Sequence, residues 1–161
     1  MKYLENPELI ADCGLHCAGC IYYVAHKTNN QYLKEKIAKS NGVPVEDIAC
    51  TGCNSDGIQT GNCRTCFAKD CVKKKGYEGC FQCDEFPCDF TNHFQWDDFI
   101  RRIVWDVNYR REHGLEEWVK KTYELNSCPS CQNVEHWKAT VCKSCGTHLE
   151  PRYLDENDLS K

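Results

Sequence analysis

Cysteine supplies the residues of this sequence that are best suited to chemistry, with 15 in a chain of 161 residues. Twelve of them form C-x2-C pairs, whose two intervening residues let the backbone turn back so that both sulfurs reach one metal ion. Two such turns complete a tetrahedral site with each sulfur about 2.3 Å from the ion. The pairs are Cys17/Cys20, Cys50/Cys53, Cys63/Cys66, Cys80/Cys83, Cys128/Cys131 and Cys142/Cys145. The spacing predicts three such sites and leaves Cys13, Cys71 and Cys88 over.

Metal binding explains this cysteine usage better than disulfides do. The pairs are too closely spaced for ordinary disulfides, the count is odd, and residues 1–12 contain no apolar segment of the kind found in secretory signals. We therefore expect a cytoplasmic protein whose thiols stay reduced. No run of 18 apolar residues occurs, so we expect no insertion into a membrane.

The two C-terminal pairs form the clearest single site. The segment "CPSCQNVEHWKATVCKSCG" has the spacing C-x2-C-x10-C-x2-C, which predicts a zinc ribbon with two cysteine turns on a short β-hairpin. Its Zn²⁺ ligands would be Cys128, Cys131, Cys142 and Cys145. Gly146 follows the second turn, where a positive φ is useful. We expect His136 and His148 at the surface, because four sulfurs already close the site.

The middle of the chain contains an internal repeat of the pattern C-x2-C-x4-C, offset by 17 residues. The first triplet is Cys63, Cys66 and Cys71, and the second is Cys80, Cys83 and Cys88. Either the C-x2-C pairs of both triplets share one ion, or each triplet holds its own metal with a fourth ligand from elsewhere. The second arrangement resembles iron–sulfur proteins, in which two motifs exchange a cysteine.

The stretch "CGLHCAGC" contains Cys13, Cys17 and Cys20. Its C-x3-C-x2-C spacing is also that of radical enzymes that use an iron–sulfur cluster, but the strand–helix alternation of their barrel is missing here. We predict that Cys17 and Cys20 share a metal with Cys50 and Cys53, because a helix over residues 29–40 lets the chain return to its starting point. Cys13 is either a further thiol nearby or a ligand that makes this a cluster site. We expect His16 to be a solvent-facing loop residue.

Three amphipathic helices are predicted. Asn29 or Thr28 would cap the first, over residues 29–40, whose apolar residues are Leu33 and Ile37. The second precedes Gly114, and we expect arginines 101–102 and 110–111 on its solvated face. Its inward residues are predicted to be Trp96, Phe99, Ile100, Ile103, Val104 and Val107. In the third, the inward residues would be Leu115, Trp118 and Val119.

These observations predict a small, metal-stapled α+β fold. Residues 1–95 would form a loop-rich, cysteine-rich metal-binding domain with short helices, and residues 96–126 two amphipathic helices packing on it. Residues 127–150 would form the zinc-ribbon β-hairpin, followed by a polar tail at 151–161. A loop-rich region of this kind cannot bury a sufficient core alone and depends on metal for its folding.

The motifs "CGLHCAGCIYYVA", "CTGC", "CRTCFAKDC" and "GCFQCDEFPC" together resemble the domain of unknown function 3795 family, over residues 10–95. This is a cysteine-rich prokaryotic family that is usually labelled zinc- or metal-binding. Its members often carry a zinc ribbon after a helical segment, which matches residues 127–146. A position often basic in the family falls in Ala68-Lys69-Asp70 here. The resemblance implies a fold and a metal, and it implies no established reaction.

The sequence favours a non-enzymatic protein that binds metal at several sites and acts as a protein-interaction or regulatory module. Zn²⁺ would occupy the ribbon and the N-terminal sites, and the partner would be another protein. The formal net charge of −4 argues against binding to a phosphate backbone, and no H-E-x2-H or readable catalytic set occurs. The alternative is an iron–sulfur protein with [4Fe–4S] clusters in the N-terminal region, which senses oxygen or redox state or relays electrons.

Overall fold

The computed structural model describes residues 6–89, 97–150 and 152. This part of the chain consists of helices and loops and contains no β-strand, only three isolated β-bridges. The α-helices are α1 (Ile21–Lys27), α2 (Gln31–Asn41), α3 (Gly61–Arg64), α4 (Phe67–Lys75) and α5 (Asp97–Asn126). Short 3-10 turns cover Pro7–Leu9, Cys17–Gly19, Val45–Asp47 and Cys80–Gln82. None of the described helices is long and apolar enough to cross a membrane.

The prediction of an α+β fold with a C-terminal β-hairpin is wrong. The bridges Ser127↔Val134 and Val141↔His148 each close one cysteine turn and do not pair one turn with the other. The backbone between the turns is used elsewhere, because the amide of Trp137 donates to the Gly19 carbonyl at 3.0 Å. The two turns therefore stand on a loop that is anchored to the N-terminal region.

Helix α2 confirms the helix predicted over residues 29–40. Leu33 and Ile37 are buried, as their i, i+4 spacing indicated. The helix is capped by Asn30, whose side-chain oxygen accepts a hydrogen bond from the Leu33 amide at 3.1 Å. The cap therefore lies one or two residues after the predicted position at residue 28 or 29. Gly42, with φ 65°, ends the helix in the left-handed conformation.

Helix α5 is two helical segments joined at Gly114, whose φ of 81° and ψ of 175° are not helical. The predicted break at this glycine is confirmed. In the second segment Trp118 and Val119 are buried as predicted, but Leu115 is 39% exposed and its predicted inward position is wrong. Leu115 directly follows the break, so the helical periodicity does not extend to it.

The first segment of α5 confirms part of the predicted apolar face. Ile103 and Val107 are fully buried, and the predicted neighbours Phe99 and Val104 pack partly buried against the same core. Trp96 lies outside the described residues, as does nearly all of the tail at 151–161. The predicted solvated face is wrong at Arg102, whose side chain is 2% exposed.

The N-terminal cysteine loops pack directly on α5 and form a core with it. This core contains Cys13, Cys17, Cys80 and Cys83 beside apolar side chains of the helix. Gly14 makes the close approach possible, because with φ 103° a Cβ there would lie 2.5 Å from a methyl carbon of Val107. Helix α5 thus serves as the platform on which the cysteine-bearing loops are positioned.

Candidate metal centres

Four C-terminal thiols converge on one point, and we call them the C-terminal tetrad. They are Cys128, Cys131, Cys142 and Cys145, and their sulfurs all lie within 4.8 Å of one another. The sulfurs of Cys128 and Cys145 are 3.6 Å apart, and so are those of Cys131 and Cys142. Four sulfurs at about 2.3 Å from one tetrahedral ion would lie about 3.8 Å apart. The tetrad therefore has the size of a site for one metal ion.

Two turns of the same construction carry the tetrad. After the second cysteine of each pair the backbone takes a left-handed φ, 62° at Gln132 and 74° at Gly146, which confirms the positive φ predicted at Gly146. The amides two and three residues beyond Cys128 donate to its sulfur, and the equivalent amides donate to the sulfur of Cys142. These donors orient the ligands and stabilise negative charge on them.

The thiols of the tetrad differ in their readiness to ionise. Hydrogen bonds from the hydroxyl and amide of Thr147 lower the pKa of the Cys145 thiol to about 6. The hydroxyl oxygen of Thr147 lies 3.1 Å from that sulfur. Burial instead raises the pKa of Cys142 to about 12. Because metal ligands must be thiolates, a cation that enters here displaces protons from the less acidic members.

Glu135 ties the two turns together, and sequence analysis missed it. Its side chain is buried, and Oε1 accepts a hydrogen bond from the side-chain amide of Asn133 and another from the backbone amide of Lys143, both at 2.8 Å. One carboxylate thus bridges the residue that follows the first cysteine turn and the residue that begins the second. Glutamate between two C-x2-C pairs is an ordinary solvated residue in most sequences, so no pattern identified this role.

The two histidines near the tetrad differ from each other. His148 is exposed, as predicted. His136 is only partly exposed and its Nδ1 is buried with no hydrogen-bond partner among the described atoms, so its predicted surface position is wrong. Burial lowers the pKa of His136 to about 4. The next residue, Trp137, anchors this segment through its backbone amide, which donates to the Gly19 carbonyl.

Seven N-terminal thiols are gathered together, and we call them the seven-thiol cluster. They are Cys13, Cys17, Cys20, Cys50, Cys53, Cys63 and Cys66. The amide of Cys53 donates to the Cys17 sulfur at 3.4 Å, and the thiols of Cys17 and Cys63 lie close enough to that of Cys53 to change its pKa. The pairs predicted to meet, Cys17/Cys20 and Cys50/Cys53, thus lie together. Their ligation of a metal stays a prediction.

Burial raises the pKa of three thiols of the seven-thiol cluster, Cys13, Cys20 and Cys50. It raises the pKa of Cys20 to about 12, and the negative charges of Cys63 and Cys50 add to the effect. Burial also raises the pKa of Cys13, with further repulsion from Cys66 and Cys80. Such thiols ionise when a bound metal supplies the compensating positive charge. The cluster has the chemistry of a metal-binding site.

Lys69 lies against the seven-thiol cluster and donates hydrogen bonds at its edge. Its ammonium group donates to the Cys53 carbonyl and, at 2.7 Å, to Oε1 of Gln59. Burial raises the pKa of Cys50, and the neighbouring Cys53 thiol and burial raise that of Cys63; the charge of Lys69 opposes the rise at both thiols. Helix α4, which sequence analysis did not predict, positions this side chain with Ala68 and Val72 buried on its apolar side.

The turn Cys50-Thr51-Gly52-Cys53 is docked against the chain before Cys13. The Asn54 amide donates to the Glu8 carbonyl at 3.1 Å. Gly52 has φ 132°, and a Cβ there would lie 2.7 Å from that same carbonyl oxygen. Only glycine fits both the conformation and the space, so the glycine of this turn is a steric requirement of the site.

A further group of thiols, the four-thiol group, consists of Cys71, Cys80, Cys83 and Cys88. Burial raises the pKa of Cys80 to about 12, with added repulsion from the other three members. The second triplet is therefore joined by a cysteine of the first triplet, while Cys63 and Cys66 belong to the seven-thiol cluster. Which of these thiols share a metal stays a prediction.

Two cationic side chains support the four-thiol group. The ammonium group of Lys75 lies 3.5 Å from the Cys83 sulfur and 2.8 Å from a carboxylate oxygen of Glu85. Arg111 donates to the backbone carbonyls of Phe81 and Cys83 at 2.8 and 2.5 Å. Arg111 is exposed, as expected for the arginines at 110–111, and it also holds the turn that carries two of the thiols.

His16 is buried behind the cysteine loop and does not face solvent, so that prediction is wrong. Its ring packs edge-on against Trp118, with centroids 5.5 Å apart, and against Tyr123 at 5.0 Å. Burial, reinforced by the charge of Arg102, lowers the pKa of His16 to about 4. The ring is therefore neutral at physiological pH and acts as a packing residue under Cys17.

The N-terminal thiols are spaced differently from the tetrad. Among the described residues, no three thiols of the seven-thiol cluster or the four-thiol group come within 4.8 Å of one another. Of the fifteen predicted ligands, the structure thus brings four to single-ion spacing and arranges the other eleven more loosely in two neighbouring groups. Cys13 lies near both groups, because burial raises its pKa and negative charge on Cys66 or on Cys80 raises it further.

Two kinds of relative are found by comparison with known proteins. A sequence model of the family described as "Protein of unknown function (DUF3795)" matches residues 9–93, a span that contains all eleven N-terminal cysteines. The large ribosomal subunit protein eL40 of Methanococcus maripaludis strains C5, C7 and C6 is 38% identical over 40 residues, which are 24% of this chain and 85% of the relative. No solved structure matches this chain.

Proposed function

This chain belongs to the DUF3795 family of proteins of unknown function, and on that premise we propose that it binds metal at two different kinds of centre. The C-terminal tetrad holds one zinc ion as a closed structural site. The seven-thiol cluster holds an iron–sulfur centre, which gives the protein a role in redox sensing or electron transfer. The protein performs no catalysis at the tetrad, because four protein ligands leave no open position on the ion.

The difference in sulfur spacing carries this proposal. Sulfur pairs 3.6 Å apart suit the ligands of a single tetrahedral ion. A cluster of several iron atoms holds its cysteine ligands further apart than one ion does. The seven-thiol cluster supports the second case, because its thiols gather around Cys53 without converging on one point. It also has more thiols than one zinc ion can use.

The surroundings of the seven-thiol cluster support a tuned metal centre. The ammonium group of Lys69 opposes the negative charge that thiolate ligands bring. Cys17 and Cys50 are almost completely buried, which keeps water from part of the site. Charge, hydrogen bonds and solvent exposure are the quantities that set the reduction potential of an iron–sulfur cluster. The zinc predicted for this region from sequence remains the competing occupant.

Serine variants test the proposal selectively. Protein purified without oxygen is analysed for zinc, iron and acid-labile sulfide per chain, beside Cys53→Ser and Cys145→Ser. We expect Cys53→Ser to lose iron, sulfide and visible absorbance while it keeps zinc, and Cys145→Ser to lose zinc alone. A colourless parent that contains zinc at both centres would contradict the iron–sulfur assignment and leave the protein as a zinc-stapled module.

A second role, binding to another protein or to a large assembly, is favoured by the similarity to eL40. That relative is by name a protein of the large ribosomal subunit. We propose protein-mediated contacts, because the net charge of −4 disfavours binding through a phosphate backbone. Co-sedimentation of the metal-loaded chain with large ribosomal subunits tests this role, with Cys145→Ser as the comparison. If the same amount of the chain stayed in the supernatant with and without ribosomal subunits, this second role would be excluded.

A further inference from the structure

A cavity of about 1120 Å³ adjoins the seven-thiol cluster. One wall is helix α2, a second wall is the segment 135–143 that leads into the second cysteine turn, and the thiols form the floor. Cys13, Cys20 and Cys63 are among the floor residues. Ligand sites in proteins typically measure about 300–1,000 Å³, so this space is large enough for an organic molecule beside an occupied metal site.

Apart from the thiols of its floor, the lining of the cavity has more lysines than carboxylates, in a protein that is negative overall. Its lysines are Lys36, Lys69, Lys138 and Lys143, and its carboxylates are Asp12 and Glu135. Glu135 is already occupied by two amide donors, and Asp12 accepts a hydrogen bond from the side chain of Asn54. Within the described part of the chain, no carboxylate lies at ion-pairing distance from Lys36, Lys138 or Lys143.

Apolar and aromatic side chains cover the rest of the walls. Leu33 and Ile37 contribute from α2, and Trp137 and Val141 from the opposite wall. The charged groups lie over aromatic rings, because the Lys36 ammonium is 5.0 Å from the ring centre of Tyr32 and that of Lys138 is 4.9 Å from Trp137. Each wall therefore offers a cation beside an apolar face.

We propose that this cavity binds an organic anion, with its phosphate or carboxylate group between Lys36 and Lys138 and its apolar body against Leu33 and Trp137. His136 is part of the same lining. A bound anion would lie beside the thiol floor. The site goes beyond metal binding and does not depend on which metal the thiols hold.

Two fluorescent probes of nearly the same shape test the site. The metal-loaded full chain is titrated with 8-anilinonaphthalene-1-sulfonate, which is an anion, and with N-phenyl-1-naphthylamine, which is neutral. We expect the double variant Lys36→Gln/Lys138→Gln to bind the sulfonate about tenfold more weakly, because two partly exposed charges are lost. Its affinity for the neutral probe stays unchanged.

The control is Lys39→Gln/Lys120→Gln, which removes two exposed lysines outside the cavity and leaves both affinities as in the parent. Thermal melting of all three proteins verifies that the variants are folded. Binding of the sulfonate that is equal in the parent, the cavity variant and the control would overturn the proposal, and so would the absence of any binding to the parent.

Discussion

The indole Nε1 of Trp118 donates a hydrogen bond of 2.9 Å to Oδ1 of Asp106 in the interior of the protein. Gly114 lies between these residues, so the bond joins the two segments of α5 across their break. The other carboxylate oxygen of Asp106 accepts a hydrogen bond from Nε of Arg102, also at 2.9 Å. All three side chains are buried, and together they fix the platform that carries the cysteine loops.

Asp106→Ala should lower the free energy of unfolding by about 3–5 kcal/mol, because it leaves the Arg102 charge buried without its partner. Glu112→Ala, which changes an exposed acidic residue of the same helix, should alter it by less than about 0.5 kcal/mol. Denaturant unfolding of metal-loaded samples measures both. If the two variants were equally stable, the buried Arg102–Asp106 pair would not stabilise the arrangement of the two helical segments around Gly114.

As the pH falls from 7 to 4, the free energy of unfolding should decrease less in the His136→Gln variant than in the parent protein. The folded protein keeps the pKa of His136 at about 4, below the unfolded value of 6.5, so the unfolded chain takes up the proton first as pH falls. The contribution of His136 to the free energy of unfolding is fully present above pH 6.5 and is lost as the pH falls towards 4. The charged groups near the ring are Glu135, Arg152, Lys138 and Lys36.

Melting temperatures of the parent and of His136→Gln, measured from pH 7 to 4 with metal content monitored, give the comparison. Metal release affects both proteins, so the difference between the two curves reports the histidine. Parallel curves would show that this ring does not resist protonation in the folded state.

Gly52→Ala should remove most of the metal from the seven-thiol cluster while the tetrad keeps its ion. A Cβ at this position would lie 2.7 Å from the Glu8 carbonyl oxygen, so the turn that carries Cys50 and Cys53 must shift. Gly42→Ala is the matched control, because it also has a positive φ but nothing within 4 Å of the added carbon. Metal analysis in which both alanine variants retain full occupancy would contradict the steric role of Gly52.

Lys69→Gln should release metal from the seven-thiol cluster faster in the presence of a chelator. The lysine charge favours ionisation of Cys50 and Cys63, and its removal makes the ligands easier to protonate. Lys73→Gln, an exposed lysine of the same helix, should release metal at the parent's rate. The rates are measured by the change in metal-dependent absorbance, and equal rates in the two variants would dismiss the contribution of Lys69.

The features that could be predicted from sequence are those encoded over short distances. The C-x2-C turns at Cys128 and Cys142 were predictable because two intervening residues already determine how the backbone bends towards a metal. Helix α2 and the break at Gly114 were predictable because capping, i, i+4 spacing and glycine act within a few residues.

The features that could not be predicted depend on distant partners. Arg102 was expected in solvent because arginine is rarely buried, and only Asp106 and the packed helix explain its position. The predicted β-hairpin was absent because Trp137 uses its backbone amide to contact Gly19. The spacing of the cysteines also could not show that Cys71 lies near Cys80 of the second triplet, because that depends on the orientation of α4 in the fold.

X-ray absorption at the zinc and iron edges of the anaerobically purified protein tests most directly whether the chain has two kinds of metal centre. We expect the zinc spectrum to show four sulfur neighbours at about 2.3 Å, as the spacing in the C-terminal tetrad indicates. The iron spectrum should show sulfur neighbours together with iron–iron scattering, as a cluster requires. Zinc in full sulfur coordination with no iron in the sample would contradict the iron–sulfur centre, and zinc with oxygen or nitrogen neighbours would contradict the tetrad.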